Sequence, residues 1–159
     1  MDNRANRTGS GIEPTIGLGL LLVRVVTGVV FFMHGWQKLV DNGIGQTQIG
    51  FDGMGAPVPD ITAVIVTFVE LIGGIALILG ALTQIAGILL TIDMVSALFI
   101  VHIENGFFVA NMGYELVFLL GGAALGLALT GPGPFAIDRM VGTSRLPSAV
   151  TRDRVSERA

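Results

Sequence analysis

Four long apolar runs separated by polar breaks organise this chain, at about 16–39, 61–80, 85–103 and 114–130. Each is close to the ~20 helical residues that a hydrocarbon core requires. The second and third runs meet at "ALTQI", which predicts a tight hairpin. Between the first and second lies "DNGIGQTQIGFDGMGAPVPD", residues 41–60, whose glycines, prolines and aspartates mark a polar connection rather than a further span. "ENGFFVANMG", residues 104–113, is a shorter connection of the same kind, and beyond "TGPGPF" the chain turns polar. The pattern predicts an all-α transmembrane four-helix bundle, with a short N-terminal segment over 1–15, the membrane domain over 16–140 and a flexible tail over 141–159.

Composition sharpens this picture. Of 159 residues, 52% are hydrophobic and only 13% charged, with a mean hydropathy of +0.76, outside the range of ordinary soluble domains. The bilayer is therefore the first partner. The net charge of −3 and the confinement of most basic residues to the tails give nucleic acid no binding face. There is no cysteine, which excludes thiol exchange, thiolate metal sites and thiol-ligated clusters from this chain.

The first run follows Arg4 and Arg7, is much longer than a signal-peptide core and has no small-residue cleavage site behind it, so it reads as a retained helix. Arg139, Arg145, Arg152, Arg154 and Arg158 follow the last run. By the positive-inside rule both termini are cytoplasmic, and 41–60 and 104–113 face outward. Gly122 and Gly126 form a GxxxG step, while Gly73, Gly74, Ala76 and Gly80 give the second run a small-residue face. Ordinary bundle packing accounts for these steps, and a homo-oligomer stays open.

Charged groups within spans are costly and usually face the bundle interior. With 1.5 Å of rise per residue counted from the middle of each run, Arg24, Glu70 and Asp93 fall within roughly 5 Å of the midplane. His34, His102 and Glu115 fall together at roughly 10 Å toward the outer face, with Lys38 and Glu104 just beyond. The inner tier reads first as structural intramembrane charge, one arginine facing two carboxyls of which one keeps its proton, with Glu70 the first choice for a proton acceptor. In the outer tier His34 and Lys38 are i and i+4 and share a helix face. With His102 and Glu115 they predict a ligand-binding rim around a cavity, and His34, Lys38 and Glu70 are the candidates for any catalytic role. Interfacial anchoring is the plainer reading for Lys38 and Trp36. Two histidines on different spans are also a pattern for b-type haem, but a single histidine on each span falls short of it. No metal site is assigned.

At these residues the chain resembles the DoxX family of small four-span bacterial membrane proteins. The resemblance runs over about 16–140 and rests on "RVVTGVVFFMHGWQKL", on "GMGAPVPDITAVIVTFVELIGGIALILGALT" and on "GYELVFLLGGAALGLALTGPGPFAID". It implies a helical bundle in the bacterial inner membrane with a link to redox metabolism: thiosulfate:quinone oxidoreduction, or a membrane complex with a superoxide dismutase and a sulfurtransferase. By position, Arg24, His34, Lys38, Glu70 and Glu115 sit in the matching motifs. The leading expectation is a membrane subunit of a quinone-linked or oxidative-stress oxidoreductase system, with quinone as the cofactor and soluble redox partners, and not a catalyst on its own. A non-catalytic scaffold or cargo-binding bundle is the alternative, and a proton-coupled transporter ranks below both.

Overall fold

The computed structural model describes residues 12–141, with side chains from residue 15 onward. The remainder of the expected N-terminal segment and tail lies outside the described residues. Helix α1 (Ile12–Trp36) runs on through a π-helical turn, Gln37–Asp41. Then come α2 (Ile44–Gly53), α3 (Pro59–Leu79), α4 (Thr83–Ala97), a second π-helical turn (Leu98–His102) and two short 3-10 turns, before α5 (Glu115–Thr130) and the single turn α6 (Ile137–Met140). The chain is an all-α membrane bundle. Three helical stretches, 15–41, 59–79 and 83–105, are long and apolar enough to cross a bilayer, and α5 is a shorter apolar helix beside them. Region 41–60 is polar as expected, yet it holds α2, which packs on α3.

Neighbouring helices run antiparallel in the order α1, α3, α4, α5, and α5 closes back on α1. Glycine sets the closeness of the α1–α3 contact. A Cβ on Gly74 would lie 2.5 Å from the Phe32 nitrogen, and one on Gly35 would lie 2.6 Å from the Leu71 nitrogen. These contacts fix the register of α1 against α3. In the α4–α5 contact Gly87 approaches the Ala124 carbonyl and Gly121 the Met94 side chain. The expected GxxxG step is not part of this packing: added Cβ atoms at Gly122 and Gly126 would meet nothing within 4 Å. α5 turns Gly121, Ala124 and Ala128 inward instead, which puts Gly122 and Gly126 on its outer side.

The bundle has an apolar outside and a partly polar inside. Leu22, Val26, Ile65, Ile72, Ile88, Ile92, Phe118 and Leu129 are all exposed. Arg24, Thr27, Thr67, Glu70, Thr83 and Asp93 are buried among Phe31, Leu77, Leu90, Ala124 and Leu127. Such a surface suits lipid, and in water it would exceed the apolar patches that a soluble monomer exposes.

Candidate functional site: a side-opening cavity with a charged floor

The two ends of the bundle use charge differently. At the end holding the α3–α4 hairpin, Arg24 is only 1% exposed, and its guanidinium donates to the carbonyls of Pro132 and Phe135, the latter at 2.5 Å. The Asp138 carboxylate lies within its electrostatic reach. Asp138 also accepts from the backbone N–H groups of Leu82 (2.7 Å) and Thr83 (2.9 Å). It thereby caps the first turn of α4, where Leu82 has no capping side chain of its own, and adds a negative charge at the positive end of the helix. Gly80, at φ 68°, makes the hairpin possible, since a Cβ there would meet the Arg24 guanidinium and the Ala136 methyl at 2.6 Å.

Arg24 therefore does not face Glu70 and Asp93, as the depth count suggested. That count assumed level helix centres. α1 continues through its π-helical turn to Asp41, and the glycine contacts hold Gly28 beside Gly74 and Ile78, so Arg24 lies level with the hairpin.

The cation facing the two carboxyls is Lys38. Its Nζ donates to Glu70 Oε2 at 2.5 Å, a partly buried ion pair between α3 and the π-helical turn that follows α1. The outer-tier lysine and the inner-tier glutamate meet because a lysine stem reaches more than a helical turn and the π-helical turn re-aims it. The buried hydroxyl of Thr47 on α2 donates to the Lys38 carbonyl at 2.9 Å and steadies that turn. Glu70 is 4% exposed and Asp93 8% exposed; Asp93 feels the charges of both Glu70 and Lys38. Among the described residues Asp93 Oδ2 is buried without a hydrogen-bond partner, as are Arg24 Nε and the Thr83 hydroxyl at the hairpin end.

These groups floor a cavity of about 610 Å³ at the opposite end of the bundle from the hairpin. His34, Lys38, Glu70, Asp93 and His102 all line it, so five of the residues singled out in the sequence converge there. The remaining walls are almost wholly apolar, with Phe31, Val69 and Leu120 among them, and α2 together with 109–113 forms the roof. Ile65, Leu89, Ile92 and Ile100 line the cavity and are also exposed on the outer surface, so it opens sideways between α3 and α4.

Glu115 and Arg24 do not line the cavity. Glu115 Oε2 accepts from the Val109 N–H at 2.9 Å and ties down the 104–113 connection. His102 Nδ1 donates to the Met112 carbonyl at 2.6 Å, which leaves Nε2 as the acceptor in the neutral ring. Among the described residues no three His, Asp or Glu side chains are grouped to hold a metal ion. Sequence reasoning missed Thr47 and Asp138. Nothing marks Thr47 along the chain, whereas Asp138, four residues after the Gly133-Pro134 turn and next to Arg139, carried one usable signal: an acid in the short stretch that follows the last apolar run.

The DoxX family pattern matches residues 19–103. The chain is 34% identical over 124 residues to the "Putative oxidoreductase CatD" of Bacillus subtilis, covering 78% of this chain and 87% of that one. It is 29% identical to the "Inner membrane protein YqjF" of Escherichia coli over 78% of this chain and 92% of that one. An uncharacterized protein of Haemophilus influenzae is 33% identical over 75% of this chain and 87% of its own. No solved structure matches the chain. The matched region carries α1, α3 and α4 with the whole floor of the cavity, and by this pattern and these relatives the protein is a member of the DoxX family.

Proposed function

We propose that this protein is the membrane subunit of a quinone-linked oxidoreductase system and that the side-opening cavity receives the quinone headgroup from the bilayer. The observation that carries this reading is an apolar cavity of about 610 Å³, lined in part by residues of the apolar outer surface, with Lys38, Glu70 and Asp93 grouped in its floor. A quinone needs apolar walls for its ring and tail and a polar contact at its oxygens. Lys38 keeps N–H groups beyond the one it gives to Glu70, and His34 stands beside it. A bound quinone would supply two-electron chemistry, while this chain positions it and keeps water away. Having no cysteine, the chain takes electrons from a soluble partner, in keeping with the "putative oxidoreductase" name of the Bacillus relative. The termini face the cytoplasm in this reading, so the cavity lies toward the outer leaflet of a bacterial inner membrane.

The test is organic extraction of protein purified mildly from its native membrane, with quinone per chain compared with an unrelated four-span protein. Near-stoichiometric quinone is expected, falling toward the control in Lys38→Ala and His34→Ala. Background quinone in the native protein would overturn the assignment and favour a scaffold that binds another protein.

A further inference from the structure

The polar groups of the cavity are unevenly matched, and the mismatch selects between the two forms of a quinone couple. Asp93 is more than nine-tenths buried and lines the cavity, and among the described residues its carboxyl takes no hydrogen bond, with Oδ2 buried and unpartnered. A buried oxygen left in this state is normally a fault in a structure or a vacancy for a ligand. The hydroxyls that line the cavity are engaged elsewhere: Ser96 donates to the Ile92 carbonyl and Thr62 to the carbonyls of Pro57 and Val58. Lys38 is turned to Glu70.

Whatever fills the cavity should therefore bring a donor to Asp93. A quinone offers two carbonyl oxygens and no donor, so it satisfies Asp93 only when the carboxyl itself carries a proton. A phenolic hydroxyl both donates and accepts, and satisfies Asp93 in either protonation state. The second ring oxygen can accept from a remaining Lys38 N–H. His102 Nε2, held as an acceptor by the Nδ1–H···O=C bond to Met112, adds to the same bias.

We infer that the cavity is selective for the reduced, diphenolic form of its ligand, with Asp93 as the residue that reads the hydroxyl. This inference rests on the quinone reading above. A site that holds quinol tenfold more tightly than quinone raises the two-electron midpoint of the bound couple by about 30 mV. It would draw electrons toward the bound ring and keep the product.

The test is equilibrium binding of decylubiquinol, handled without oxygen, and of decylubiquinone to the full chain in lipid nanodiscs, each quantified by extraction. Quinol is expected to bind about tenfold more tightly, the cost of leaving a buried acceptor unpaired. In Asp93→Leu that preference should vanish through loss of quinol affinity, with quinone binding held within about twofold. Asp93→Asn, whose amide both donates and accepts, should bind the two forms alike. Decanol, with a comparable tail and one hydroxyl, should bind more weakly than quinol, and equal binding would overturn the diphenol assignment. Equal affinity for the two ring forms, or tighter quinone, would overturn the selectivity while leaving the quinone site standing. No binding of either would overturn both.

Discussion

Both ends of this bundle bury charge, yet they satisfy it differently. At the hairpin end Arg24 spends its two terminal nitrogens on the carbonyls of Pro132 and Phe135, and Asp138 spends both oxygens on the first turn of α4. Among the described residues Arg24 Nε and the Thr83 hydroxyl are left without a partner there, but neither lines the cavity. At the cavity end Lys38 and Glu70 hold each other while Asp93, which lines the cavity, has a buried Oδ2 with nothing to accept from among the described residues. The lesson is that intramembrane charge alone does not mark a site. What separates the two ends is the unfilled hydrogen bond beside an open volume.

The comparison can be broken by substitution, and the largest effect belongs to the packing on which both ends depend. Gly74→Val places a side chain 2.5 Å from the Phe32 nitrogen and 2.7 Å from the Gly28 carbonyl oxygen, against backbone that cannot yield. The α1–α3 contact should be lost, read as disappearance of the monodisperse peak in size-exclusion chromatography. Asp138→Ala uncaps two N–H groups and removes the carboxylate beside a buried guanidinium. It should cost about 3–5 kcal/mol in thermal or denaturant unfolding in detergent. Glu70→Gln leaves Lys38 without its carboxylate and should cost about 1–3 kcal/mol in the same assay, together with a fall in extracted quinone. Asp93→Leu breaks no bond within the fold, so its stability should be unchanged or higher by about 1 kcal/mol. Gly122→Leu, pointing into open space, should lie within about 0.5 kcal/mol of the parent. Should Asp93→Leu prove as damaging as Asp138→Ala, the contrast between the two ends would fail.

The four helices were legible because apolar run length is a direct physical requirement of the bilayer, and the runs around 61–80 and 85–103 lie on α3 and on the helical stretch 83–105, of which α4 is only the first part. The identities of the cavity residues were partly legible: His34 and Lys38 share a face in any helix, and Glu70 and Asp93 are conspicuous acids in apolar runs. Their pairing was not. Depth counting treats each run as a straight helix with its centre at the midplane, and it cannot register the extra length of α1 or the π-helical turn that carries Lys38. Nor can it see a distant loop. The acceptors of Arg24 are carbonyls, which every residue has, so no side-chain pattern points to Pro132 and Phe135. Glu115 misled for a related reason: its depth matched His34, but its carboxylate is engaged by the Val109 N–H of the preceding connection.

The Arg24 clasp carries a consequence for how the protein is made. The donor on α1 and its acceptor at Pro132 are 108 positions apart. During synthesis the guanidinium is made long before the carbonyls that satisfy it, and every chain that stops short of Pro132 has a cation without those acceptors. Only when the segment through Asp138 folds back over the hairpin is that debt cleared. Completion of the chain is thus written into its stability, and a truncated product would announce itself to the cell as a bundle that cannot close.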